Sequence, residues 1–292
     1  MATPTARSGT GLSRRSTGRR AAGAAAGYVR KHAFVPRYGR EAALSLRTDD
    51  GVTLSAARLT GPADARGTVV LVHGFSQSSR MPRIHTFAHL LARRMHVIVP
   101  DLRGHGASGG VSSLGPKEPL DVKAAVEAAD PSLPVVTVGI SLGGAAVLLH
   151  AGTYGGVAGA VSISGPAWWG AWDTPATKRI QRYAMSPAGR RFLATFLRTR
   201  IAQVCDGVPH SEAQVAAISP AFTLVVADPA DHYFSEEHPQ TLFRWAREPK
   251  DLWLLPGTGH GTDLLSPAFA DRLLDELDRR LGGLGNGSPA RR

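Results

Sequence analysis

The sequence predicts an α/β protein: a mostly parallel central sheet flanked by helices, with a small helical cap inserted after one strand. Three observations carry this reading. Apolar runs of four to six residues recur at 68–72, 96–99, 135–139, 160–163 and 222–227, and unbroken runs of that length suit strands buried on both faces of a parallel sheet. Between the first two, Ile84, Phe87, Ala88 and Leu91 fall at i, i+3, i+4 and i+7, one face of an amphipathic helix, and strand–helix–strand alternation implies right-handed crossovers. From Gly165 to Ser219 the rhythm stops; a stretch that long between two strands should carry structure of its own.

Taken in order, residues 1–40 are rich in Arg, Ser, Gly and Ala without helical or strand periodicity, and are expected to form a basic, flexible extension. Residues 43–46 and 52–59 alternate apolar with polar around Asp50-Gly51, the pattern of an antiparallel hairpin. The core is expected over 41–165 and 220–282, with the helical cap at 166–219 and a flexible tail at 283–292. Within the core, a helix follows Ser141, another runs from about 236 to 247, a strand covers 252–255, and a last helix covers 267–281. That helix has Pro267 just inside its start and Gly282-Gly283 at its end, the usual asymmetry of start and stop signals. In the cap, Arg190, Arg191, Arg198 and Arg200 are read as a solvated face.

Composition excludes several classes. Apolar residues make up 43% and charged residues 20% of the 292, the balance of a folded globular chain. The net charge of +11 is local: nine of the 34 basic residues precede Glu41, the first acidic residue, leaving 25 basic against 23 acidic. A nucleic-acid partner is therefore not expected, since a reader of nucleic acid carries its basic patch on the folded surface. The basic extension could make at most a weak contact with an anionic membrane. Cys205 is the sole cysteine, so neither an intramolecular disulfide nor a cysteine metal site can form. No run approaches the roughly 20 apolar residues of a membrane span. Residues 21–29 follow two Arg pairs as a signal peptide would, but they are short, Ala/Gly-dominated and end in Arg30-Lys31; a cytoplasmic location is expected, with export the alternative.

The chemistry centres on Gly139-Ile140-Ser141-Leu142-Gly143, which directly follows an apolar strand and precedes a helix-forming run. A serine on so sharp a turn needs small neighbours, and its hydroxyl stands exposed at the C-terminal edge of the sheet. His73-Gly74-Phe75 follows the strand at 69–72, Asp101-Leu102-Arg103-Gly104-His105-Gly106-Ala107-Ser108 follows the next, and Gly257-Thr258-Gly259-His260-Gly261 follows the last.

With these motifs the chain resembles the α/β-hydrolase superfamily over residues 43–165 and 219–281. The resemblance implies a nucleophile, acid and base in the order Ser141, Asp231, His260, with the backbone N–H groups of Phe75 and Leu142 as the oxyanion hole. It places the acid in Asp228-Pro229-Ala230-Asp231 and favours Asp231, about three residues into the loop, over Asp228. His73 and His105 are read as structural, bonding the loop backbone around the oxyanion hole. Trp168, Trp169 and Trp172 either pack the cap or line an apolar substrate pocket. His85 and His89 have the spacing of a metal-binding pair but lack the H-E-x-x-H base, so neither metal catalysis nor a cofactor is expected. The implied activity is hydrolysis of a small-molecule acyl ester. Amide, peptide and thioester bonds use the same triad, and a lyase or binding protein on the same fold stays open.

Overall fold

A computed structural model describes residues 41–168, 174–203 and 212–284. Strands β1 (Glu41–Arg47) and β2 (Thr53–Leu59) form the expected antiparallel hairpin, and β2 pairs antiparallel with β4 (His96–Pro100). The remaining strands, β3 (Thr68–Val72), β5 (Val135–Ile140), β6 (Gly159–Ile163), β7 (Phe222–Ala227) and β8 (Lys250–Leu254), join β4 in a parallel array. The eight-stranded order is β1-β2-β4-β3-β5-β6-β7-β8. All residues of β3, β5, β6 and β7 are buried, which is why their sequences are continuous apolar runs rather than alternating ones.

Each face is covered by helices. On one, α1 (Pro82–Leu91) contributes Ile84, Phe87, Ala88 and Leu91, the four residues of its predicted stripe, and α8 (Pro267–Leu284) contributes Phe269, Ala270, Leu273, Leu274, Leu277 and Leu281. The other face takes α2 (Glu118–Glu127), α3 (Leu142–Tyr154) and α7 (Glu237–Trp245), with the short α6 (Glu212–Ala216) beside them. Helix α8 continues two residues past 282. The expectations for residues 1–40 and 285–292 fall outside the described residues. No described helix is long and apolar enough to cross a membrane.

Helix α2 carries no apolar stripe that would announce it, because its inner face is partly ionic. Buried Glu118 accepts hydrogen bonds from the N–H groups of Ser113 and Gly115 and from the hydroxyls of Ser112 and Ser113. Buried Asp121 takes the Arg103 guanidinium.

Between β6 and β7 lie α4 (Pro175–Ala184) and α5 (Pro187–Phe196), each opened by a hydroxyl residue and then proline: Thr174 accepts from the Thr177 N–H and Ser186 from the Gly189 N–H. These hydroxyls satisfy donors that the first helical turn leaves open, and proline has no N–H to lose there. Ala184, Leu193, Leu197 and Ile201 from this segment join the core cluster that holds Leu102 and Leu114. Backbone bonds from Arg200 N–H to Gly104 O (2.7 Å) and from Ser112 N–H to Arg200 O (2.8 Å) stitch it to the loop after β4. The Thr174 hydroxyl donates to Tyr233 O at 3.1 Å, tying it to the loop after β7 as well.

Candidate active site

Parallel strands all deliver their following loops to one edge of a sheet, and ligands gather where the strand order reverses. Here β3 lies between β4 and β5, so successive strands are added on opposite sides of β3 and the reversal falls between β3 and β5. The loop after β3 carries His73-Gly74-Phe75, and Ser141 directly follows β5.

Ser141 has φ 52° and ψ −113°, a backbone conformation that L-residues rarely adopt and that costs of order 1–3 kcal/mol. Close packing holds it there. A side chain at Gly139 would collide with the Gly143 carbonyl, and one at Gly143 with the carbonyls of Val72 and His73. The Ser141 N–H is anchored to Ile163 O at 2.8 Å. Leu142 is the first residue of α3, so its N–H has no acceptor inside the helix and forms part of the positive end of the helix dipole.

His260 reaches this serine from the loop after β8. Its Nε2 lies 3.0 Å from Ser141 Oγ, and its Nδ1 lies 2.6 Å from Asp231 Oδ2. A carboxylate only accepts, so Nδ1 carries the hydrogen and Nε2 presents its lone pair to the hydroxyl. The other Asp231 oxygen accepts the N–H groups of Tyr233 at 2.8 Å and Phe234 at 3.4 Å. The Asp231 side chain is 3% exposed and that of His260 14%, so the acid is sealed while the base stays reachable. The rings of Tyr233 and Phe234 stand 4.6 and 5.6 Å from the imidazole centroid.

Both aspartates of the β7 loop are used, for different ends. Asp231 holds the imidazole; Asp228 holds the backbone, accepting the Gly259 N–H at 2.7 Å and the Ala230 N–H at 2.9 Å. Burial works to raise the pKa of Asp228, but the N–H groups of Gly259, Ala230, Gly257 and Thr258 outweigh it and leave the carboxyl below its usual value. On the other side of the base, the Gly261 N–H donates to Ser164 Oγ at 3.0 Å. His260 is thus clamped on both flanks, and neither Asp228 nor Ser164 announces this in the sequence, since each partner lies far along the chain.

Around the β3 loop, His73 joins two motifs. Its Nε2 accepts the Leu102 N–H at 3.0 Å, so its Nδ1 carries the hydrogen that goes to Gly74 O at 2.8 Å. Burial lowers its pKa to about 4 and keeps it neutral, as this two-way bonding requires. His105 Nδ1 bonds Arg103 O at 3.0 Å, and its ring meets those of His73 and Phe75 edge-on. The Gly74 N–H donates to Gln77 Oε1 at 2.9 Å, a further support that no motif marked. Arg103, 2% exposed, is gripped by Asp121 and Asp50, while Asp101 ties the same loop through the N–H groups of Ser79 and Ala107.

Of the tryptophans, Trp168 is half-buried against an apolar cluster and packs on His238 with ring centroids 4.2 Å apart. Trp169 and Trp172 lie outside the described residues.

Comparisons with known proteins bear on the family and the fold. The chain is 36% identical over 115 residues to a monoacylglycerol lipase of Mycolicibacterium smegmatis, a match spanning 37% of this chain and 40% of that one. It is 28% identical over 221 residues to the uncharacterized protein YfhR of Escherichia coli O157:H7, covering 73% of this chain and 68% of the relative. The fold is similar to that of the Pyrococcus furiosus esterase Pf2001, with a TM-score of 0.67 at 18% identity over 86% of this chain and 98% of the esterase. The model of the Alpha/beta hydrolase family matches residues 69–281, and the chain belongs to that family.

Proposed function

We propose that this protein is a serine hydrolase that cleaves a carboxylic ester of a small or medium acyl group through an acyl-enzyme. The observation that carries the proposal is the continuous relay from Asp231 through His260 to Ser141, at 2.6 and 3.0 Å. In acylation, His260 Nε2 takes the Ser141 proton while Oγ attacks the ester carbonyl carbon. Asp231 holds the imidazole in its tautomer and stabilises the imidazolium. The carbonyl oxygen becomes an oxyanion, assigned to the N–H groups of Phe75 and Leu142, each such donor being worth about 3 kcal/mol in the transition state. The tetrahedral intermediate collapses by expelling the alcohol, which receives the proton from His260. Water, deprotonated by the same nitrogen, then attacks the acyl-enzyme and releases the acid.

An ester is favoured over an amide by two lines of support. The partial relative named above is a lipase of monoacylglycerol, and the aromatic rings of Tyr233 and Phe234 give the surroundings of His260 an apolar character suited to an acyl chain.

A fluorophosphonate probe tests the reading, because it reacts only with an activated serine. We expect a single adduct at Ser141 by mass spectrometry, absent from Ser141→Ala. Hydrolysis of p-nitrophenyl esters should peak at one acyl length and fall by about 10⁶-fold in that variant. Folded protein that neither labels nor hydrolyses any ester of the series would refute it.

A further inference from the structure

At the opposite edge of the sheet, three potential ligands meet that no motif in the sequence joins. His85 and His89 lie one turn apart on α1, their ring centroids separated by 4.5 Å. Glu41, the first residue of β1, brings Oε1 to 2.5 Å from His85 Nε2 and 3.0 Å from His89 Nε2. Its side chain is 3% exposed, against 15% and 30% for the two histidines. In register, Glu41 faces Leu59 and Leu59 faces Val97 near the start of β4, whereas Ser141 follows the end of β5. The cluster is therefore separate from the candidate active site.

We propose that Glu41, His85 and His89 bind one dication of the zinc class, and that this ion fastens β1 to α1. The three ligand atoms lie within 4.8 Å of one another. In a tetrahedral zinc site, with ligand bonds of about 2.0–2.1 Å, neighbouring ligand atoms stand roughly 3.3 Å apart, a spacing these side chains reach by rotating about their own bonds. Two imidazole nitrogens at i and i+4 on one helical face are a recurrent zinc-binding pair. Two nitrogens with a single hard oxygen suit zinc, nickel or copper, not magnesium or calcium, which require mostly oxygen ligands. The carboxylate offsets one of the ion's two charges, and the partly exposed histidines leave room for water in the fourth position.

The ion would act on folding and not on the ester chemistry. Among the described residues, strand β1 is an edge of the sheet and pairs with β2 alone, so it depends on few contacts along its open side. A ligand that binds the folded state and not the unfolded one raises stability in proportion to the logarithm of its concentration above Kd.

The test uses the full chain without a histidine tag, stripped with chelator and desalted. Calorimetric titration with Zn²⁺ should show one equivalent bound with micromolar affinity. The melting temperature should rise by several degrees with Zn²⁺ and stay unchanged with Mg²⁺. Glu41→Gln and His89→Asn should each weaken binding at least about tenfold, with p-nitrophenyl ester hydrolysis unaltered. Should Glu41→Gln misfold, His89→Asn reads the same loss from a partly exposed position, and the visible absorption of Co²⁺ bound to the unaltered chain reads the nitrogen and oxygen ligand set directly. Failure of the folded chain to take up Zn²⁺, or uptake that both variants retain, overturns the proposal.

Discussion

Two charged centres lie in loops at the same edge of the sheet, one after β4 and one after β8, and are built on opposite plans. Around Arg103 the accounting closes: the guanidinium meets Asp50 and Asp121, and the Arg103 N–H meets Asp121 as well. Around His260 it is left open on one side. The acid and the flanking backbone are pinned, yet the Nε2 lone pair faces a hydroxyl that can give up its proton. A closed centre holds shape, and a reactive one must keep a valence available in a place that cannot move. The closed centre also supports the loop after β3, because Leu102 beside Arg103 donates its N–H to His73, which in turn holds the Gly74 carbonyl.

The contrast is sharpest at the aspartates. Asp231→Asn should preserve the fold while lowering kcat/KM by about 10⁴-fold, since the amide would select the wrong imidazole tautomer. Asp228→Asn loses one acceptor for the Gly259 N–H and leaves the ring's partner intact. It should cost at most about tenfold in kcat, with a drop in stability of roughly 1–2 kcal/mol. Steady-state kinetics beside urea unfolding checks both, and equal losses of activity in the two variants would erase the proposed division of labour.

At the closed centre the order of effects reverses. Arg103→Met strands Asp121 as an uncompensated buried carboxylate and should lower unfolding stability by about 3–5 kcal/mol. Below the new melting temperature, kcat should stay within about tenfold. A variant that unfolds at the same urea concentration as the parent would mean that the ion cluster contributes nothing.

The smallest effect concerns pH. The paired hydrogen bonds from Arg103 hold the Asp50 carboxyl at about 2, below its ordinary 3.8. A folded-state pKa that is depressed stabilises above the unfolded value and is lost on acidification. The contribution is thus fully present above pH 4 and disappears as the pH falls through 2. Allowing for solvent screening at a 30% exposed side chain, it amounts to roughly 1–2 kcal/mol. Asp50→Asn should remove it, so that urea midpoints of parent and variant differ at pH 6 and converge toward pH 2.

The sequence by itself determined the parallel sheet, the hairpin, the α1 stripe and the tight turn that carries Ser141. Those features are local: a strand buried on both faces must be apolar throughout, and a serine on so tight a turn demands glycines at fixed offsets. Helix α2 escaped notice because Glu118 and Asp121 occupy positions on its inner face where apolar residues were expected. What only the tertiary structure decided was pairing across long separations. Asp228 and Asp231 are three residues apart and chemically alike; the family resemblance favoured Asp231 as the acid, but that Asp228 would hold the Gly259 N–H beside the ring followed from the placement of the packed loops. Glu41 lies 48 residues from His89, and only the hairpin register and the seating of α1 bring them together. Local physics chooses elements; contact between distant polar groups depends on how the packed elements are finally placed, and chemistry at a site depends on that placement to a fraction of an ångström.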